Sequence, residues 1–305
     1  MLNITLGILS YNRPEFLFEA VESALYQTIK PQKIVIFDNG SASSLKESVA
    51  PLLAQGVQWN GIEKNITPKY IYEKAFRECS TDYIMFFHDD DRLHPNFLEK
   101  QFSVLNVYPE LAGLSCNGDL IDVQSNPLGK TISSYRKDDM TIQVYKHAGQ
   151  AALRYASNSC IPFSPTIYNS KILREISLPE NYGKCGDAVL LCEMANYGGI
   201  GYNTLPLYEC RIHPSQDSGD FPLEDVQNLE AYFFSLPTFD PSDKMRLDKL
   251  LIQRHTVRNV KRMLRAIRKG KIVDIPVLYL DSLFCTWSFL KELAARAFRY
   301  KSPYQ

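Results

Sequence analysis

The chain has 305 residues, of which 45% are hydrophobic and 22% are charged, as is ordinary for a soluble globular protein. Its 34 Lys and Arg residues balance its 34 Asp and Glu residues, and its length accommodates one large domain or a domain with an appendage. The seven cysteines are odd in number and form no Cys-x-x-Cys pair, which argues against a disulfide framework or a zinc knuckle and favours a reducing compartment.

The first residues, Met1–Thr5, lack the basic region and the cleavage site of a signal peptide. No stretch reaches the roughly 18 apolar residues that a membrane-spanning helix needs. We therefore expect a cytoplasmic protein, with peripheral contact to the inner face of the membrane as an option.

Strands and helices alternate through the first 90 residues. Apolar runs predict strands at 4–9, 33–37, 57–62 and 83–87, and apolar residues at helical spacing predict helices at 14–27, 44–54 and 68–79. Pro14 suits the first turn of its helix, where a missing N–H costs nothing. This order predicts an α/β fold with a mostly parallel sheet and helices on both faces.

The run Tyr83–Phe87 ends in His88 and three carboxylates, Asp89–Asp91. The run shows no period-2 alternation, as expected for a strand that is covered on both faces. Adjacent carboxylates repel each other unless a cation or hydrogen-bond donors compensate. Mg²⁺ and Mn²⁺ prefer oxygen ligands, so the pattern predicts a divalent metal site, and a solvated acidic loop is the alternative.

Asp38 follows the apolar strand at 33–37, as Asp89–Asp91 follow the strand at 83–87. We therefore expect Asp38 and the three carboxylates at the same edge of the sheet, where open α/β sheets bind ligands. A nucleotide bound there could use Asp38 as an acceptor for a base N–H and Asp89 for the ribose hydroxyls. A metal held by Asp90 would neutralise the diphosphate. The alternative for Asp38 is a turn residue in Asp-Asn-Gly.

Four blocks in order carry a resemblance to a known family: Ile8–Arg13, Ile34–Ser41, Tyr83–Pro95 and Gly186-Asp187. Over about residues 2–215 the chain resembles the family 2 glycosyltransferases, which have the GT-A (Rossmann-like) fold. The resemblance implies inverting transfer of a single sugar from a nucleotide-sugar, with a UDP-sugar favoured, to an acceptor hydroxyl, with Mn²⁺ or Mg²⁺. The membrane helices and the Gln-x-x-Arg-Trp block of processive members are not found.

The resemblance also implies roles for individual residues. Asp187 corresponds to the catalytic base, which the first turn of a helix would keep ionised, although a plain N-cap aspartate is the alternative. The donor-binding residues would be Tyr11, Arg13, Asp38, Lys69, Asp89 and Arg211, and the metal ligands Asp90, Asp91 and His213. The family motif is often Asp-x-Asp and here reads His-Asp-Asp-Asp, so the division of labour among the three carboxylates stays open.

The chain changes character after residue 220, and we predict a catalytic domain at 1–220 and a helical extension at 221–305. Residues 244–271 contain 11 Lys and Arg residues and an apolar stripe at helical spacing. Such a helix could lie on an anionic membrane surface, pack on the catalytic domain or form a homodimer interface. A second helix is predicted at 276–300. No nucleic-acid-reading motif accompanies the basic helix.

Two other functions share parts of this pattern. A sugar nucleotidyltransferase also uses an α/β sheet and Mg²⁺, but it usually carries a glycine-rich basic loop where this chain has Ser10–Pro14. A catalytically silent nucleotide-sugar-binding scaffold would not need Asp187. The acceptor is expected to be a carbohydrate or a lipid-linked molecule in surface polysaccharide or glycolipid assembly. The family varies in the region 117–165 to select acceptors.

Overall fold

A computed structural model describes residues 3–133, 140–157, 159–177, 179–214, 216, 221–237 and 240–268. The strands are β1 (Ile4–Ser10), β2 (Lys33–Asp38), β3 (Gln58–Gly61), β4 (Tyr83–His88), β5 (Arg92–Leu93), β6 (Gly113–Ile121), β7 (Pro127–Thr131), β8 (Ile142–Tyr145), β9 (Ile167–Asn169) and β10 (Ile200–Arg211). The helices are α1 (Pro14–Leu25), α2 (Ser43–Ser48), α3 (Ala50–Leu53), α4 (Pro68–Glu78), α5 (Phe97–Val107), α6 (Ala148–Ala156), α7 (Ser170–Glu175), α8 (Gly186–Ala195), α9 (Leu223–Ser235) and α10 (Pro241–Arg268).

The sheet has the order β3-β2-β1-β4-β9-β6-β10-β5. β3, β2, β1 and β4 run parallel to one another, and β6 and β10 form a second parallel pair. The short strand β9 lies antiparallel between β4 and β6 and joins these two halves. The predicted α/β fold with a mostly parallel sheet and flanking helices is therefore confirmed.

The predicted elements of the first 90 residues are present, with one difference. The helix predicted at 44–54 is two short helices, α2 and α3, which meet at Val49. Pro51 explains the break, because its ring removes the N–H that a continuous helix would bond to Glu47. The central strands β1 and β4 are buried along almost their whole length, as their apolar runs predict.

The helices after residue 221 pack onto the α/β body. Phe233 of α9 and Leu247 and Leu251 of α10 are at most 1% exposed, within the apolar cluster that also holds residues of α6 and α8. Further along α10, Val257, Val260 and Leu264 are 45%, 42% and 50% exposed, so these three residues of the predicted apolar stripe are not covered by the described residues.

The helix predicted at 276–300 lies outside the described residues. Within the described ranges, no helix combines the length and the apolar character needed to cross a membrane.

Candidate active site

The register of the parallel strands brings the predicted polar residues to one edge of the sheet. Ser10 of β1 lies beside Asp38 of β2, and Leu9 lies beside His88 of β4. The hydrogen bond from the Asp89 N–H to the Leu9 carbonyl (3.0 Å) extends this pairing into the acidic turn. The residues after these three strands therefore form one continuous polar surface.

Asp38 is buried, and only one of its two carboxylate oxygens accepts a hydrogen bond from the described residues. Oδ2 accepts the Ser41 N–H at 3.1 Å, which is the turn-forming bond expected of Asp-Asn-Gly. Oδ1 is buried and has no hydrogen-bond partner among the residues that the structure describes. A buried acceptor without a donor is costly, so this oxygen suits a ligand N–H. The ring of Tyr11, which follows the neighbouring strand, is 45% exposed.

Gly40 keeps the loop at 62–66 close to Asp38. Its φ of +80° is unfavourable for other residues, and a Cβ there would lie 2.5 Å from backbone atoms of Lys64 and Asn65. Asn39 fixes the same loop, because its side chain bonds both the N–H and the carbonyl of Ile66. These contacts hold the surface on which a nucleobase would rest.

Arg13 joins the first two carboxylates of the acidic turn. Its Nη1 lies 3.0 Å from Asp89 Oδ1 and 3.0 Å from Asp90 Oδ2. His213 Nε2 lies 2.9 Å from the same Asp90 oxygen. Burial opposes ionisation of Asp90, but the charge of His88, the His213 bond and the Arg13 charge outweigh it and lower the pKa of Asp90. The predicted residues Arg13, Asp89, Asp90 and His213 are thus brought together.

Asp91 faces the protein interior. Its Oδ1 accepts the Arg211 N–H at 2.9 Å, and its Oδ2 accepts a hydrogen bond from the Tyr208 hydroxyl. Burial, with the neighbouring Asp90 charge, raises the pKa of Asp91 to about 7. Sequence reasoning did not identify Tyr208 as a partner, because nothing in its neighbourhood indicates that it faces the acidic turn.

The donor set of the acidic turn fits a divalent cation. Ligand atoms of His88, Asp90 and Asp91 lie within 4.8 Å of one another. Two carboxylates and an imidazole suit Mn²⁺ or Mg²⁺ together with phosphate oxygens. His88 was not among the predicted ligands; its position at the carboxyl end of β4, directly before the carboxylates, is the signal that could have found it.

Arg211 lies beneath the acidic turn with its side chain fully buried. Its Nε donates to the Asp90 carbonyl (2.8 Å), its Nη2 to Glu19 (2.8 Å) and its Nη1 to the Ser125 hydroxyl (2.8 Å). The predicted contact between Arg211 and a donor phosphate would require the guanidinium to leave these partners. The contacts instead support a positioning role, in which Arg211 fixes the backbone of the turn.

We expect Arg211→Met to destabilise the fold. The change keeps much of the side-chain volume but leaves the Asp90 carbonyl without its Arg211 donor, and Glu19 keeps only Arg92 and Ser125 as donors. Breaking a buried ion pair costs roughly 3–5 kcal/mol, and we expect the low end because Glu19 is itself partly open to solvent. Urea unfolding followed by circular dichroism measures the effect. A loss below about 1 kcal/mol would show that Arg211 does not hold the turn.

Asp187 lies in the first turn of α8, as predicted. The residue as a whole is exposed, while protein atoms surround its carboxyl group, whose Oδ1 accepts the Ala188 N–H at 2.7 Å. This desolvation raises the pKa of Asp187 to about 6, and the charge of His88 opposes the rise. His88 therefore influences Asp187 as well as Asp90 and Asp91, so all three carboxyl groups lie near it.

The loop before Asp187 is held by α9. The Lys184 N–H donates to Asp225 Oδ2 at 2.8 Å, and Gly183 (φ +46°) has no room for a Cβ, which would lie 2.2 Å from that oxygen. Lys69 approaches the same loop from α4, with its Nζ 3.4 Å from Glu180 and 3.7 Å from Glu73. Among the described residues, Lys69 makes no hydrogen bond or ion pair with Asp38 or the acidic turn, so its role in donor binding stays a prediction.

A cavity of about 580 Å³ lies at the opposite, amino-terminal edge of the sheet, between Asp82, Asn169 and Arg174. It is lined by none of the predicted site residues. The candidate site is therefore located by its side-chain chemistry and by the strand register rather than by cavity size.

Structural comparison shows the same fold in solved glycosyltransferases. S. aureus TarS residues 1–349, solved in complex with UDP, is similar over 83% of this chain and 70% of TarS, with a TM-score of 0.56 and 15% sequence identity. The complex of the same protein with UDP-GlcNAc has a TM-score of 0.59 at 14% identity, over 83% and 71% of the two chains. At these identities the likeness shows the GT-A fold.

Sequence comparison identifies relatives and a family. An uncharacterised glycosyltransferase of Rickettsia typhi is 24% identical over 225 residues, 72% of this chain and 67% of the relative. The uncharacterised glycosyltransferase YwdF of Bacillus subtilis is 32% identical over 103 residues, 32% of this chain and 37% of YwdF. Residues 5–177 match the model of the family described as "Glycosyl transferase family 2". This segment is more than half of the chain and contains Asp38 and the acidic turn, and we conclude that the protein is a glycosyltransferase that belongs to family 2.

Proposed function

We propose that the protein is an inverting, metal-dependent glycosyltransferase that moves a single sugar from a UDP-sugar to an acceptor hydroxyl. The observation that carries the proposal is that His88, whose Nδ1 lies 3.9 Å from Asp91 Oδ2, also influences the Asp187 carboxyl group, so the candidate base lies near the acidic turn. Asp187 would act as the base on one side of the reacting carbon, and the acidic turn would hold the diphosphate on the other. Assembly of a surface polysaccharide or a glycolipid is the proposed setting.

The proposed donor site uses the end of β2 and the acidic turn. The unpartnered Oδ1 of Asp38 would accept a base N–H, and the exposed ring of Tyr11 would pack on the base. Asp89 would accept the ribose hydroxyls. The TarS structures that share the fold contain UDP and UDP-GlcNAc, which supports uracil as the base.

Asp90, with Asp91 and His213 as predicted and His88 added by the structure, would hold the cation. When bound, a divalent cation stabilises the negative charge that the leaving diphosphate gains. The protein itself supplies the geometry for this step. Arg211 and Tyr208 fix the turn from below, and Arg13 reaches both Asp89 and Asp90 from the start of α1.

The proposed reaction is a single displacement. The acceptor oxygen forms a bond to C1 of the sugar while the bond from C1 to the diphosphate oxygen breaks, and its electron pair leaves with the nucleoside diphosphate. Asp187 takes the proton of the acceptor hydroxyl, which acidifies as the new bond forms. Attack from the side opposite the leaving group inverts the configuration at C1.

Calorimetric titration with UDP, GDP, dTDP and CDP, each with and without Mn²⁺, tests the donor site. We expect UDP to bind most tightly and Mn²⁺ to strengthen its binding. Tight binding of a different nucleotide would correct the proposed base, and binding of none would contradict the donor site. Release of pyrophosphate from UTP and a sugar phosphate would instead indicate a nucleotidyltransferase, and binding of a donor without turnover would indicate a scaffold.

The transfer rate is expected to fall with acidification through about pH 6. Asp187 accepts a proton only when it is ionised, and its pKa is about 6, so the rate should drop about tenfold per pH unit below that value and stay level above it. The titratable groups around Asp187 are His88, Tyr72, Tyr155, Tyr168, Cys160, Cys185 and Cys192. A kcat profile from pH 5 to 8, with folding monitored by fluorescence, measures the effect. A level profile down to pH 5 would contradict the assignment.

We propose that α10 contacts the cytoplasmic face of an anionic membrane through its exposed apolar residues. Val257, Val260 and Leu264 recur at helical spacing on a helix rich in Lys and Arg, which suits an anionic surface. Replacing all three by Ser is expected to reduce cosedimentation with phosphatidylserine vesicles severalfold without affecting donor binding. Equal binding of the wild type to neutral vesicles, or a concentration-dependent dimer that the triple variant abolishes, would favour an interface between copies instead.

A further inference from the structure

Arg154 is a buried cation that pairs with no carboxylate of the described residues. It lies near the end of α6 and is 6% exposed. Its Nε donates to the Cys160 carbonyl (3.1 Å), and its Nη1 donates to Gln143 Oε1 (2.8 Å) and to the Tyr145 hydroxyl (2.7 Å). These are neutral acceptors, and no Asp or Glu of the described residues pairs with Arg154. A buried charge without a counterion is costly, so the site favours an anion.

Unpaired donors surround this guanidinium. Arg154 Nη2 has no hydrogen-bond partner among the described residues, although it is buried. The guanidinium lies over the ring of Tyr202, 3.8 Å from its centroid. The Tyr202 hydroxyl and the Ser133 hydroxyl are also buried, and they lie close enough for Ser133 to influence the Tyr202 hydroxyl, but neither makes a well-formed hydrogen bond within the described part of the chain. Natural proteins rarely leave a buried guanidinium nitrogen unpaired, and the two hydroxyls beside it can turn toward a ligand.

Cys160 connects this cluster to the candidate base. It is exposed, and its backbone carbonyl is the acceptor for Arg154 Nε. Desolvation raises the pKa of its thiol, the charge of Arg154 opposes this rise, and the charge of Asp187 adds to it. The thiol is therefore close enough to be influenced by both charges, so Cys160 lies between the Arg154 cluster and the candidate base.

We infer that Arg154, Tyr202 and Ser133 form a subsite that binds an anionic group of the acceptor, a phosphate or a carboxylate, next to the hydroxyl that Asp187 deprotonates. The inference rests on the proposed function for the identity of the acceptor, but the anion site itself does not depend on turnover. A phosphate offers several acceptor oxygens for Arg154 Nη2 and the two hydroxyls, and it supplies the missing countercharge. The approach is from the side of Cys160, which is exposed.

The test measures alkylation of Cys160 by N-ethylmaleimide, read by peptide mass spectrometry, with the donor site filled by UDP and Mg²⁺. Glycerol 1-phosphate is the anionic probe, and glycerol with NaCl at equal ionic strength is the neutral one. We expect glycerol 1-phosphate to slow the alkylation of Cys160 at least threefold in the wild type and glycerol to have no effect. Equal rates with both probes overturn the inference.

Variants separate an anion site from a structural role. Tyr202→Phe removes a hydroxyl whose one neighbour is the weakly placed Ser133 hydroxyl, so we expect its Tm to stay close to the wild type while protection by glycerol 1-phosphate is lost. Arg154→Gln is also expected to lose protection, and Arg154→Lys to keep part of it. Lys146→Gln, which removes a nearby exposed cation, should keep full protection. Full protection in Tyr202→Phe and Arg154→Gln overturns the subsite. UDP binding and turnover, measured separately, test the proposed function.

Discussion

Asp187→Asn is expected to reduce the transfer rate about a thousandfold while leaving UDP affinity within about twofold. General base catalysis contributes typically 10²–10⁴-fold, and the amide cannot take the acceptor proton. The amide keeps the size of the carboxylate, and the carbonyl oxygen can still accept the Ala188 N–H, so the start of α8 should be preserved. The transfer rate measured with saturating donor and calorimetric UDP affinity give the two values.

Asp82→Asn is the matched control for Asp187→Asn. Asp82 is an exposed aspartate at the opposite edge of the sheet, so the same chemical change there should leave both values unaltered. Near-wild-type turnover of Asp187→Asn would show that another group takes the proton. An equal loss of UDP affinity would indicate that Asp187 serves donor binding rather than proton transfer.

Asp90→Ala is expected to abolish the Mn²⁺-dependent part of UDP binding. Loss of a residue that merely orients a metal ligand typically costs 10–100-fold in metal affinity, so loss of a ligand should cost at least about a hundredfold. UDP binding without Mn²⁺ should change much less, because Asp38 and Tyr11 are the proposed contacts to the base end. Titration of UDP at several Mn²⁺ concentrations measures the effect.

Asp82→Ala is the matched control for Asp90→Ala. Asp90→Asn tests whether the negative charge of Asp90 or the shape of its side chain supports metal binding. Asp90→Asn keeps an oxygen acceptor for Arg13 and His213 but removes the negative charge, so it should follow Asp90→Ala in metal dependence. Unchanged Mn²⁺-dependent affinity in both Asp90 variants would remove Asp90 from the metal site and leave His88 and Asp91 as candidates.

The fold followed from the sequence because the central strands are continuous apolar runs. Runs such as those of β1 and β4 are short enough to be strands and too apolar to be exposed, and alternation with helices sets their parallel direction. Pro51 could have predicted the break between α2 and α3, but the apolar spacing of residues 44–54 as a whole indicated one continuous helix. The surface that covers α10 was not predictable, because periodicity reveals an apolar stripe on a helix but does not show what packs against it.

The strand-end residues of the site were predictable for the same reason, since parallel strands carry their following residues to one edge. The position of the Arg211 side chain was not predictable, because its partners Glu19 and Ser125 are 192 and 86 residues away in sequence. A motif can place an arginine near a site, but only the fold decides whether its guanidinium faces a ligand or the backbone beneath. The roles of the predicted site residues stay predictions until the variants are measured.

The bridge from Arg13 to Asp89 and Asp90 has a consequence for how strongly salt should affect metal uptake. With Arg13 in place, one positive charge already sits between the two carboxylates, 3.0 Å from each. A divalent ion bound at Asp90 with Arg13 still in place meets a carboxylate pair whose net charge is already reduced by one, so the charge that it gains is smaller than at a bare pair. Coulomb attraction scales with the charge gained, and the affinity for Mn²⁺ should therefore fall less steeply with ionic strength than at a bare carboxylate pair.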